Sequence, residues 1–341
     1  MGFVFIEYSD DQRKTYINSE MQYKSYLQKK MRYDKSFRFR MGWRTSDGKK
    51  YLFKECLDTK NRTSLGVESE KTIELKNSFN AQKLELKESL KQSKELMLKN
   101  EKLNKFTKIS RVPNILVNFF RRINELGLDD KVIVIGTNSL YSYEAYAGVF
   151  IEDQHLATYD IDVFNKRDKK ISFALKNKMA QKTLRSILLD IDKSFKRSKE
   201  AAYRFINDDD MVVEIITPIS NEEQKNDDFS GVINLEINGT KWLNSSKLHK
   251  QMIIGENGKC AFISAISPLE YAVYKKWLGE HERKDYMKKQ RDIKQATLVT
   301  ALIQKHMPIL DIQEELKGIQ NMSKKAIEQY QKEVLNEEHN K

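Results

Sequence analysis

The sequence predicts an α/β fold of the α+β kind: a small mixed β-sheet with flanking helices, an N-terminal helical hairpin or coiled-coil region, and a C-terminal helical domain. Three observations carry this. The apolar runs at 132–135, 161–164 and 211–216 have strand length and are separated by helical stretches. Residues 69–107 hold no Gly or Pro and are rich in Lys and Glu, as a long helix requires. Beyond Pro268 the pattern is helical to the end, broken around Pro308 and Met322. Four regions follow: an N-terminal helix plus β-hairpin (1–66), a long charged helix (67–108), a core (109–220), and a β-hairpin with a C-terminal helical domain (221–341).

In the first region, residues 12–31 read as helix. A β-hairpin follows at 37–43 and 50–55, around Ser46-Asp47-Gly48. Alternation at Phe37, Phe39, Met41 and Trp43 suits a half-buried strand with Arg on its wet face, so these aromatics are read as core. Interleaved Arg and aromatic side chains can also stack bases and hold phosphates. In the charged helix, Leu75, Phe79, Leu86, Leu90, Met97 and Leu103/Asn104 fall near a seven-residue spacing, which gives a narrow apolar seam. Pro113 starts a helix at 114–126, which ends at Gly127. After the core's second strand comes an amphipathic helix at 175–192. Asn238-Gly239 marks a hairpin between 232–237 and 240–243, and 260–266 is a further strand.

The chain carries 61 Lys and Arg against 49 Asp and Glu, a net charge of +12. That balance favours an anionic partner such as RNA or DNA. Only 15 of the 61 basic residues are Arg, however, and dispersed lysine also serves solubility. No apolar run approaches a membrane span, and residues 1–7 are too short for a secretory signal. Cys56 and Cys260 stand far apart with no CxxC and no clustered His. The expectation is a cytoplasmic chain in a reducing setting, without a zinc site or membrane contact.

The stretch 131–164, KVIVIGTNSLYSYEAYAGVFIEDQHLATYDIDVF, organises the rest. Its first strand ends at Gly136-Thr137 and its second opens with Asp160 and Asp162. Residues i and i+2 of a strand share a face, so these two carboxylates emerge side by side. Like charges that close repel unless a cation sits between them, and carboxylate oxygens suit Mg²⁺ or Mn²⁺. Gly136 lets a ligand approach the backbone, and the helix N-terminus after it offers N–H groups to phosphate. Thr137 and Ser139 add hydroxyl donors. A phosphate-binding turn beside a metal-binding pair suggests phosphoryl or nucleotidyl transfer. Glu214 interrupts the third apolar run; it either joins the carboxylates or faces solvent from an edge strand that ends near Pro218. His155 is a candidate base, though a lone loop histidine seldom is one.

These motifs resemble the polymerase-β-type nucleotidyltransferase superfamily: Gly136-Thr137, then Asp160-x-Asp162 on a strand, then an acidic residue on a later strand. More narrowly, GTNSLYSYEAYAGV…LATYDIDVF is similar to a bacterial family of stand-alone nucleotidyltransferase-like proteins, which typically read Gly-Thr-x-Ala-Leu-Tyr-x-Tyr-Glu and then Ala-Thr-x-Asp-Ile-Asp. Tyr51-Leu52, Ser64-Leu65-Gly66 and Ser69-Glu70-x-Thr72 match its N-terminal signature. Pro268, Tyr274-Lys275, Arg283 and Arg291-Asp292-x-x-Gln295-Ala296 match its C-terminal one. Two positions depart: the third acid is Glu214 rather than Asp, and a His-Lys pair appears as Tyr274-Lys275.

The resemblance implies transfer of a nucleoside monophosphate from an NTP to an acceptor hydroxyl, of RNA, tRNA or protein. Asp160, Asp162 and Glu214 would be the catalytic metal ligands. Gly136, Thr137, Ser139, Lys275, Arg283 and Asp292 would bind the nucleotide. A toxin or phage-defence role with an antitoxin or other partner protein is one expectation. The alternatives are a small-molecule, antibiotic-type nucleotidyltransferase and a catalytically degenerate nucleotide- or nucleic-acid-binding module.

Overall fold

The computed structural model describes residues 2–57, 59–156, 158, 160–165, 184–199, 201, 203–216, 246–282, 285–310, 315 and 328. The hairpin read around Asn238-Gly239, the first half of the helix read at 175–192 and most of the two terminal helices lie outside these residues.

Helix α1 (Asp10–Ser36) starts at Ser9, whose hydroxyl accepts from the Gln12 N–H while the Gln12 side chain accepts from the Ser9 N–H. This reciprocal cap fixes where the helix begins. Strands β2 (Phe39–Ser46) and β3 (Lys49–Cys56) form the predicted hairpin. Asp47 and Gly48 both take positive φ, 48° and 70°, as the two-residue turn of a twisted hairpin requires. A third strand, β4 (Arg62–Val67), pairs with β3; the sequence reading had only the hairpin. Ser69 then caps α2 (Glu70–Phe106), 37 residues long.

The two long helices lie antiparallel. Gln12 donates to the Thr107 carbonyl at 3.0 Å, Ser19 to Asn104 at 2.7 Å, and Phe37 packs on Phe79. The buried positions of α2 include Thr72, Phe79, Ser93, Met97 and Asn104, whereas Leu75 and Leu103 of the expected seam are exposed. The inward stripe is therefore set by the partner helix, with small and polar residues where the two approach.

Among the described residues the main sheet has seven strands in the order β11-β12-β5-β7-β10-β9-β8. They are β5 (Val132–Ile135), β7 (Asp160–Asn165), β8 (Lys196–Arg197), β9 (Arg204–Ile206), β10 (Val212–Ile216), β11 (Leu248–Ile254) and β12 (Cys260–Ile266). β12 runs parallel to β5 and β10 parallel to β7; the other neighbours are antiparallel, so the sheet is mixed as predicted. β11 and β12 come from beyond residue 220, so one sheet crosses the boundary drawn there. β1 (Phe5–Glu7) pairs with β6 (Val149–Ile151), tying the N-terminus to the core.

The described residues also form helices α3 (Asn114–Glu125), α4 (Leu140–Ala147), α5 (Asp153–Leu156), α6 (Leu184–Ile191), α7 (Pro268–Trp277) and α8 (Tyr286–His306). Val132, Val134, Phe164, Ile215 and Ile263 share a core with Phe119, Phe120, Leu298 and Leu302. Asn124 on α3 closes a gap in it. Its amide donates to the Phe262 carbonyl at 2.9 Å and its carbonyl accepts from the Phe262 N–H at 2.7 Å and the Tyr23 hydroxyl at 3.0 Å. The side chain thus serves β12 where strand pairing does not. Asn124→Leu leaves three buried groups unpaired, and chemical denaturation is expected to show a loss of about 3 kcal/mol; a loss below about 1 kcal/mol would remove Asn124 from this role.

Candidate active site

One row of residues runs across four strands: Ile135 on β5, Asp162 on β7, Glu214 on β10 and Arg204 on β9 are successive partners. Partners in register share a face, so Asp162 and Glu214 stand beside each other, with Asp160 two residues along the same face. β10 lies between β7 and β9, so the edge-strand reading of Glu214 is overturned.

Burial and the neighbouring Asp160 and Glu214 charges push the Asp162 carboxyl up to about 7, against the pull of Lys275 and Arg291. A carboxylate crowded in this way is relieved by a cation. Glu214 is already engaged: Arg204 reaches its Oε1 through Nε at 2.8 Å and a terminal nitrogen at 2.7 Å. Among the described residues no group of three or more His, Cys, Asp or Glu side chains is gathered as a metal centre. Asp160 and Asp162 share one face of β7, as ligands of a divalent ion must, and Glu214 would have to leave Arg204 to join them. The Thr158 hydroxyl bonds to Asp160, and Asn138 donates to the Asp160 carbonyl at 2.7 Å, which fixes the start of β7 against the turn.

That turn is built around Gly136, at φ 76° and ψ −159°. A Cβ there would sit 2.2 Å from Asp162 Oδ2, so the absent side chain is what lets the carboxylate occupy its place. A 3₁₀ turn (Thr137–Ser139) leads into α4, and neither has a side-chain cap. The Ser139 N–H donates to the Gly136 carbonyl at 3.2 Å and the Leu140 N–H to the Thr137 carbonyl, so the N–H groups nearest Gly136, of Thr137 and Asn138, are the ones placed to meet an anion.

The hydroxyls differ from the sequence expectation. Ser139 is fully buried and donates to the Val134 carbonyl at 3.2 Å, so its oxygen braces the turn. Thr137 Oγ1 accepts from Gln295 at 3.0 Å, and Gln295 accepts from the Tyr271 hydroxyl at 3.0 Å. α7 and α8 therefore meet the turn through one polar chain. Beside it Lys275 and Asp292 are both buried and paired at 2.6 Å. Burial pulls the Lys275 ammonium down while Asp292 pulls it back. Lys275 is thus held inward by Asp292, and its charge is felt at Asp162, where it opposes the upward push on the carboxyl. Arg283 lies outside the described residues. His155 is buried, with its ring edge against Phe3 and Glu152 alongside.

Sequence reasoning passed over Arg291, Arg204, Gln295 and Tyr271 as site residues. Arg291 and Gln295 were visible in the C-terminal signature. Arg204 had no signal, because only strand register places it opposite Glu214. Arg291 Nε is buried without a hydrogen-bond partner among the described residues, and its charge is felt at Asp162 and Lys275. An orphan cationic donor at this position suits an oxyanion.

Elsewhere in the motif, Tyr143 and Glu144 are structural. Tyr143 donates to the Ile266 carbonyl at 3.0 Å, and Glu144 accepts from the Ile151 N–H at 2.8 Å with Arg111 beside it. Burial pushes the Glu144 carboxyl up to about 7.

A family model described as nucleotidyltransferase matches residues 114–319, well over half of the 341-residue chain. The match spans β5, the Gly136 turn, the three acidic positions and α7 and α8. No curated protein and no solved structure matches the chain.

Proposed function

The chain belongs to the nucleotidyltransferase family, and from that premise we propose that its site transfers a nucleoside monophosphate from an NTP to an acceptor hydroxyl with the help of Mg²⁺ or Mn²⁺. The observation that carries this reading is the row of Asp162 and Glu214, with Asp160 alongside, set against the Gly136 turn. Asp160 and Asp162 would hold the ion, which supplies charge neutralisation on the phosphates and a more acidic acceptor hydroxyl. The N–H groups after Gly136 receive the phosphates. Arg291 offers its Nε to a phosphate oxygen, and Lys275, whose charge is felt at Asp162, helps to balance negative charge. RNA or protein is the favoured acceptor class, given the +12 net charge.

Calorimetric titration with a non-hydrolysable NTP tests the first step. Binding is expected to need Mg²⁺ and to be lost in Asp162→Asn. Equal binding with and without the metal contradicts the reading.

The Arg204–Glu214 pair favours a second reading, a nucleotide-binding module in which Arg204 stands where the cation would sit. Arg204→Ala separates the two. If Glu214 is a metal ligand, freeing it tightens Mn²⁺ binding roughly tenfold, the equivalent of ~1.4 kcal/mol. Unchanged Mn²⁺ affinity assigns Glu214 to the ion pair alone.

A further inference from the structure

The three-stranded sheet β2-β3-β4 has two unlike faces. On one, Phe39 stacks on Phe79 at 5.2 Å, Trp43 meets Lys76 at 5.5 Å, and Leu52, opposite Trp43, is fully buried. This face meets α2; of the four residues read as core, Phe37 is buried, whereas Phe39, Met41 and Trp43 are only half-buried.

The other face carries Tyr51 and Phe53 on the central strand, both only half-buried. Register places Arg44 and Val67 on either side of Tyr51, and Gly42 and Ser64 on either side of Phe53. A Cβ added at Gly42 would meet nothing within 4 Å, so the flank of the Phe53 ring is open. In the next row Arg40 and Arg62 flank Glu55, which receives them at 3.0 and 2.6 Å. Their pull holds the Glu55 carboxyl below its ordinary range. Lys49 closes the far end of the face. Four cations thus surround two aromatic rings and one neutralised carboxylate.

We propose that this outer face binds single-stranded nucleic acid, with Tyr51 and Phe53 each stacking on a base and Arg40, Arg44 and Arg62 contacting the backbone. The ring centroids are 6.4 Å apart. The rings are tilted by 53° to one another, so two bases stacked on them cannot stay stacked on each other, which a single strand allows and a duplex resists. Aromatic rings accept any base, and the cations answer its phosphates. The assignment of this strand as the acceptor rests on the transfer reading above; its binding does not.

Fluorescence anisotropy with labelled oligo(U), oligo(dT) and a blunt RNA duplex tests it on the full chain. Wild type is expected to bind the single strands more tightly than the duplex. Tyr51→Ala/Phe53→Ala is expected to weaken oligo(U) at least tenfold, because both stacking rings are lost. Arg44→Ala is expected to make the salt dependence shallower by about 0.7 in log–log slope. A preference for oligo(U) over oligo(dT) assigns RNA, and equal binding assigns single strands of either sugar.

Absent single-strand binding at low salt, or a folded double variant that binds like wild type, overturns the proposal. Should the double variant fail to melt cooperatively, Arg44→Glu at an exposed position replaces it, and unchanged affinity there overturns the proposal equally. Asp162→Asn keeps oligonucleotide affinity while losing Mg²⁺-dependent NTP binding, so failure of this face and failure of the transfer reading are told apart.

Discussion

Asp162→Asn is expected to raise the stability of the protein while abolishing transfer. In the native chain burial, Asp160 and Glu214 lift this carboxyl from 3.8 to about 7. Between those values the folded state holds a proton that the unfolded chain has released. Stability therefore falls as pH rises from about 4 through 7. The amide removes that slope. The variant's advantage is expected to be negligible near pH 4 and to grow to about 4 kcal/mol above pH 7, from a shift of roughly three units at ~1.4 kcal/mol each. Thermal melts at pH 5 and pH 8 read it directly. Mg²⁺ is expected to stabilise wild type at pH 8 and to leave the variant unmoved. A variant less stable than wild type at pH 8 would mean that Asp162 is satisfied in the fold without a cation.

Gly136→Ala has the opposite sign for stability and the same sign for activity. Its φ of 76° alone costs an alanine about 1–3 kcal/mol. The new Cβ would also lie 2.2 Å from Asp162 Oδ2 and 3.1 Å from its Cγ. Either the turn or the carboxylate must move, and both belong to the site. The expected result is a lower melting temperature together with a loss of NTP binding of at least a hundredfold. The double variant Gly136→Ala/Asp162→Gly relieves the overlap and is expected to recover part of the stability without the activity. Full NTP binding in Gly136→Ala would show that Asp162 can leave its place at no cost.

Much of this site is legible in the sequence, because strands alternate and glycine marks close approach. Asp160 and Asp162 announce themselves by their i, i+2 spacing before an apolar run, and Glu214 by its place among Val and Ile. The Asp47-Gly48 turn is local chemistry and is equally plain. What escapes is set by register and by long-range meeting. Arg204 faces Glu214 only because β9 and β10 pair in one register. Thr137 and Gln295 meet across 158 residues. Ser139 looks like a phosphate donor on paper, yet the 3₁₀ turn rotates it into the core. The N-terminal aromatics show the same limit: alternation separates two faces, and only the packing of α2 decides which face is covered.

The most direct measurement is incubation of the protein with each α-labelled NTP, Mg²⁺ or Mn²⁺, total RNA and cell lysate, beside the Asp160→Asn/Asp162→Asn variant. The expected result is label passing to a macromolecular acceptor with wild type alone and only when the metal is present. Label transferred equally by the double variant, or without metal, would contradict a nucleotidyl transfer centred on these two carboxylates.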